Sequence, residues 1–501
     1  MKKPMCLLLV LCTLFPACGC TADVNDSVKP PPKEFDSSVI SDSGDPTSSL
    51  PSETAVYYEP DNLPEGLDFG GERFTVLTVG DDRFKYEILT DELNSEPVND
   101  SVFNREKYVE DRLNLDISQV KIVYNVYNEE VAKQHASGDN EYQLFAASTV
   151  WFSQSVFDGY LQDLYDIDYI DFSKPWWSHL FNSEAEIGGH LFLTTGSLSL
   201  STMRFIYAVY YNKKLASDYS QSYPELGDIY GMVDSGKWTY DRLKSLSGSI
   251  YVDMNGNSEK DGEDLYGLAV VDGSGIDAVW SSYDMSILGK DEDGWLTPDV
   301  NKEKIFKTVE MMQDLYHHTD GSYVLENFEE AEKMFAGGMA VFSEGKLMSA
   351  ETAELRNMQE EYGLIPYPKY DENQTEYYSG AHDQYVSFSI PQTNPVPDTA
   401  GAVLEAMASY AYRDTVPKYL DITLKGRYMS DAHSRRMVDL IVKGFRMDSG
   451  WIYSRLTGFF PQEFFRLEVS TDSKSYSSSY TKAYQLMKIA ISDLKNRNLN
   501  Y

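Results

Sequence analysis

The stretch DMNGNSEKDGED, from Asp253 to Asp264, places oxygen-bearing side chains at its first, third, fifth, seventh and twelfth positions. That is the ligand spacing of an EF-hand calcium loop. Asp253, Asn255, Asn257, Glu259 and Asp264 are therefore the metal-ligand candidates, and a structural calcium is the ion they would take. Ser258 stands where such a loop has glycine, and Asp264 where it has a bidentate Glu, and both departures weaken the hold on an ion. The competing reading is a solvated acidic turn, because Asn-Gly and Asp-Gly are ordinary turn dipeptides.

Catalytic chemistry has less to work with. There are seven histidines, and no H-E-x-x-H, G-x-S-x-G or glycine-rich phosphate loop. Gly196-Ser197-Leu198-Ser199 lacks the closing glycine of a nucleophile elbow. His317 and His318 are adjacent, so on a helix they point to different sides. With 79 acidic residues, carboxylate pairs suited to glycoside cleavage are unavoidable in space, but no motif selects two of them. No catalytic residue is expected. The 37 tyrosines suit stacking on sugar rings, and they equally suit a core.

All four cysteines (Cys6, Cys12, Cys18 and Cys20) lie at the N-terminus, within an export-type leader. Lys2 and Lys3 precede an apolar run from Met5 to Phe15, too short for a permanent membrane span, and small residues follow. Ala17-Cys18-Gly19-Cys20 resembles a bacterial lipobox, with Cys20 favoured over Cys18 as the lipidated residue. Residues 1–20 are thus expected to be a lipoprotein signal peptide. Residues 21–65, rich in Asp, Ser, Pro and Thr, are expected to form a disordered tether, because such a segment buries too little apolar surface to offset its ordering entropy. The net charge of -36 excludes nucleic acid and anionic membrane surfaces as partners, which leaves the lipid anchor as the membrane contact.

The elements that must position any site alternate. Arg73–Val79, Lys121–Tyr127, Gln143–Ala147 and Met339–Phe342 read as strands, and Ser101–Leu113 as a helix. Ile305, Val309, Met312 and Tyr316 recur at helical spacing, as do Tyr480, Ala483, Tyr484, Met487, Ile491 and Leu494. Asn327, with Glu330 three residues on, reads as a helix cap. Alternation of this kind indicates an α/β architecture.

Five segments, in order, resemble the maltose-binding-like group of bacterial extracellular solute-binding proteins. They are Arg105–Ile117 (REKYVEDRLNLDI), Tyr207–Leu215 (YAVYYNKKL, like the Y-N-K-x-L signature), Lys237–Leu246 (KWTYDRLKSL), Met334–Phe342 (MFAGGMAVF) and Tyr362–Tyr370 (YGLIPYPKY). The resemblance implies a type II periplasmic-binding-protein-like fold, with two α/β lobes joined by crossover strands around a ligand cleft. It implies lobe 1 at 66–195 and 344–384 and lobe 2 at 196–343 and 385–501. The region between Tyr251 and Pro298 is enlarged relative to the commoner members.

The implied function is capture of a sugar or oligosaccharide outside the bacterial cell and its delivery to an ABC-type permease in the membrane, by a lipid-anchored monomer. A surface glycosidase, or a binder of peptides or other polar solutes, are the alternatives. Lobe edges and crossovers should supply the ligand contacts. The candidates there are Trp151, Trp177, Ser199, Trp280, Tyr283, Glu344, His382, Asp383 and Tyr385. Arg427, Arg435 and Arg436 offer cations for an acidic sugar, against the plainer reading of a solvated helix face.

Overall fold

The computed structural model describes residues 59–428 and 431–496. Two sheets organise them. The first has the order β12-β3-β1-β2, made of β1 (Glu72–Val79), β2 (Leu115–Ile122), β3 (Leu144–Ser148) and β12 (Val386–Ser389). Its first three strands are parallel, and β12 runs against β3 with Val386 opposite Ser148. The second has the order β11-β4-β10-β6-β5, with β9 pairing β6. It comprises β4 (Tyr207–Asn212), β5 (Tyr251–Val252), β6 (Leu265–Val271), β9 (Ser322–Leu325), β10 (Ala340–Lys346) and β11 (Tyr362–Ile365). A hairpin of β7 (Leu288–Lys290) and β8 (Leu296–Pro298) stands apart. Among the described residues no helix is long and apolar enough to cross a membrane.

Most of the expected elements form where the pattern put them. The helix Lys302–His317 buries the expected stripe, Tyr476–Asn496 buries Tyr480, Met487, Ile491 and Leu494 with Ala483 and Tyr484 half-buried, and Asn327 accepts the Glu330 amide at 3.0 Å. The second strand is displaced. It runs Leu115–Ile122, because Asn114 in the left-handed region (φ 52°) ends the helix Pro97–Leu113 and turns the chain straight into register with β1.

The division of the chain between the sheets also differs from expectation. Glu344 lies inside β10, paired with β4 on one side and β6 on the other, so the chain does not change lobe there. β11 stays in the second sheet, and the return to the first is β12. Thr194 bridges Phe388, and Ile206 bridges Ala381, so residues 194–206 and 381–388 run antiparallel between the sheets. A third segment joins them where the Ser379 amide donates to the Gly444 carbonyl and the Arg446 amide to the Ser379 carbonyl.

Glu344 is 5 % exposed and accepts the Val271 amide at 2.7 Å and the Tyr316 hydroxyl at 3.2 Å. Burial outweighs both hydrogen bonds and pushes its carboxyl up to about 8. From about pH 4.5, where the unfolded chain releases this proton, to about pH 8, the folded state binds the extra proton, so stability falls as pH rises across that window. Glu344→Gln should flatten the fall in urea midpoint across this range, and an unchanged slope would show that Glu344 is ionised in the folded protein.

Candidate functional site

Both sheets turn the carboxyl ends of their parallel strands toward the crossovers, the position where open α/β sheets bind ligands. β1 leads into Gly80–Phe84, β2 into Val123–Val126, and β3 into Thr149–Trp151. On the second sheet β6 leads to Asp272, β9 to Glu326–Phe328, and β10 ends on Lys346. Phe205, in the first crossover, touches both edges. Its ring meets Phe84 edge-on at 5.5 Å, and the Lys346 ammonium lies 5.8 Å from its centroid. Arg83, held by Asp81 at 2.9 Å, donates to the Gln384 side chain at 3.0 Å. Its carbonyl accepts from Arg204.

On the first lobe this edge opens as a cavity of about 590 Å³, lined among others by Gly80, Asp81, Asp82, Lys85, Lys121 and Val123. Val123 is exposed, an apolar patch among charged groups.

The base of the crossovers holds a compact charged cluster. Arg466 forms a two-point ion pair with Asp277, its Nε donating at 2.6 Å, and lies 3.8 Å from Asp383. Gln462 donates to Asp383 at 3.2 Å, and His382 Nδ1 sits 3.5 Å from the same carboxylate. Burial pushes Asp277 up to about 7 although Arg466 pulls it down, and burial also raises Asp383. His382 is depressed by burial first, then by Lys346, Arg466 and Arg83.

Three of the nine expected contact residues stand at this edge: Trp151, His382 and Asp383. Trp151 is half-buried, with the Arg455 guanidinium 4.8 Å over its ring and Tyr124 tilted against it at 5.7 Å. The other six are inside the protein. Trp177 donates to Glu405 at 2.9 Å, and Ser199 shares hydroxyl hydrogen bonds with Ser201 and Thr202. Trp280 packs on Phe465 at 5.2 Å, Tyr283 on Tyr370 at 5.6 Å, and Tyr385 on Phe181 at 6.1 Å. Glu344 is the buried β10 carboxyl already described. All six are buried, and of them Trp177 also lines a small cavity of about 170 Å³ with Trp176 and Phe445. Of the three arginines, Arg436 pairs with Asp234 on the lobe surface, Arg435 is exposed, and the Arg427 side chain lies outside the described residues. Sequence reasoning passed over Asp81, Asp82, Lys85 and Lys346, whose signal was their place just past, or at, the end of a strand.

In the acidic loop Asp253 accepts the amides of Gly256 at 2.7 Å and Ser258 at 2.9 Å. Asn255 and Asn257 turn their NH₂ groups onto Asp261, and Asp264 accepts from Met254 and Tyr251. Ser258 adopts φ 64°, the left-handed turn that glycine would take more easily. Among the described residues no group of three or more His, Cys, Asp or Glu side chains is arranged to hold a metal ion. Cys20 lies outside the described residues.

Two α/β lobes with crossovers between facing strand ends define a type II periplasmic-binding-protein-like fold. The chain is similar in structure to a cyclo/maltodextrin-binding protein complexed with maltotetraose, with a TM-score of 0.55 and 13% identity over 84% of this chain and 97% of that one. It is similar to the maltose-binding periplasmic protein of Listeria monocytogenes in complex with maltose, at 0.53 and 12% over 84% and 98%. A third likeness is to UgpB from Mycobacterium tuberculosis in complex with glycerophosphocholine, at 0.53 and 12% over 85% and 99%. No protein-family model and no curated protein matches the sequence.

Asp277→Ala would leave Arg466, whose side chain is 22% exposed, without its two-point partner. We expect a loss of about 3 kcal/mol in urea unfolding, and less for Asp277→Asn, because an unpaired buried charge is costly. A loss below about 1 kcal/mol would mean that Asp383 or water replaces the partner.

Proposed function

We propose that this chain is an extracellular, lipid-anchored solute-binding protein that captures a sugar or oligosaccharide between its lobes and delivers it to an ABC-type permease. The observation that carries the reading is the pair of strand-end edges meeting at Phe205, with partly exposed charged and amide groups from both lobes around it. Sugar hydroxyls need such convergent donors and acceptors, and Val123 and Trp151 offer apolar contact for a ring face. The maltotetraose and maltose bound in two of the similar structures support a saccharide. The leader ending at Cys20 supports the anchor, through which a monomer would be held at the outer face of the membrane.

Solute touching both lobes gains its full contact energy only in the closed form, so binding would shift the population toward closure. Hydrolysis is the weaker reading, since Asp277 and Asp383 both turn to Arg466 and are not poised as a separate acid and base. A panel of mono- and oligosaccharides screened by thermal shift tests the proposal. At a hundredfold excess over Kd a true ligand adds about 2.7 kcal/mol. Turnover of a glycoside, with no stabilisation by any sugar, would reverse it.

Calcium at 253–264 is a subsidiary proposal that rests on the ligand spacing. Chelation should lower the melting temperature, and an unchanged value removes the ion.

A further inference from the structure

Three lysines at the cleft edges form no ion pair with a carboxylate among the described residues, in a chain whose net charge is -36. Lys85 and Lys121, both exposed, line the first-lobe cavity. There Asp81 is committed to Arg83, which leaves Asp82 as the one unpaired carboxylate lining that cavity. Lys346 ends β10 on the opposite wall. Its ammonium sits 4.2 Å over the Phe328 ring and 5.8 Å from Phe205, and no acceptor among the described residues hydrogen-bonds it. Phe84 lines the cavity and touches Phe205, which links the two walls.

We infer that the solute carries an oxyanion, a uronate-type carboxylate or a phosphate ester on a sugar, and that Lys346 pairs with it as the lobes close while Lys85 and Lys121 favour its approach. A neutral sugar hydroxyl can accept a hydrogen bond from Lys346 but leaves its charge unpaired, whereas an anion supplies both the acceptor and the opposite charge. The surroundings agree. Burial depresses Lys346 to about 8, with Arg83 and Arg204 adding to the effect, and Glu332 and Asp383 only partly offset it. The inference rests on the solute-binding reading and narrows its ligand class.

Titration calorimetry on the intact chain tests it with galacturonate and glucuronate oligomers, their neutral counterparts, and a hexose phosphate. We expect the acidic ligands to bind at least tenfold more tightly, and the preference to shrink as salt is raised. Lys346→Met should weaken the acidic ligands about tenfold or more, while neutral sugars change little. The uronate and phosphate arms decide which oxyanion is preferred. Neutral sugars that bind as well as acidic ones, or an acid-to-neutral ratio unchanged in Lys346→Met, would overturn the inference and leave the solute-binding reading standing. No binding by any sugar, acidic or neutral, would overturn both. A normal melting temperature for Lys346→Met separates lost recognition from lost folding.

Discussion

The structure depends on one constraint: the backbone that passes between the sheets must satisfy its own polar groups. Buried amides and carbonyls left unpaired cost free energy comparable to a lost hydrogen bond. Here the crossovers pair with each other. Thr194 and Phe388 exchange both backbone hydrogen bonds, the Tyr207 amide donates to the Gly380 carbonyl, and the His382 amide to the Phe205 carbonyl. The result is a short ribbon between the lobes. It holds Phe205, His382, Asp383 and Gln384 where the ends of both sheets converge, and it does so without any cysteine after residue 20. A ribbon of this kind can bend while its ladder persists, the behaviour expected of a hinge.

Charge is distributed with the same economy. The outer surface carries the acidic excess, and several of the buried carboxyls are strongly perturbed. Burial raises Glu87, Glu405 and Asp448 to about 7 each, even though all three accept hydrogen bonds. Where a buried carboxylate meets a cation, as in Asp277 with Arg466, or a buried arginine meets a carboxylate, as in Arg204 with Glu351, the pair ties a crossover or its neighbour to a lobe. The lysines at the cleft edges stand out against this pattern, because among the described residues no carboxylate forms an ion pair with them, and Glu332 and Asp383 only partly offset the depression of Lys346.

Much of the fold was legible because it follows from periodicity and local signals. β1, β3 and the long helices declared themselves through alternation or a 3.6-residue stripe, and Asn327 through its capping spacing. The second strand was misplaced by several residues because the left-handed turn at Asn114 is a tertiary outcome that the apolar pattern does not encode. Lobe membership failed for a similar reason. Whether Glu344 or Val386 changes sheet depends on which strand each pairs with, and pairing is non-local. In the site, the large aromatics were conspicuous and most proved to be core, since Trp280 and Trp177 fill volume that long side chains fill well. His382 and Asp383 lie on a crossover, where the resemblance had put them. Lys346 went unnoticed because a single lysine in a chain with 43 basic residues carries no signal until its neighbours are known.

The central claim, that the two lobes close over a captured solute, is open to one direct measurement. All four cysteines lie within the first twenty residues, so a chain that starts after Cys20 and carries Asn125→Cys and Glu326→Cys can be labelled at those two exposed positions alone, one on each side of the cleft. Energy transfer between the labels then reports the width of the cleft as a saccharide is titrated. Closure would give a shorter distance that saturates with the same midpoint as binding. Saturable binding with no change in distance would contradict it.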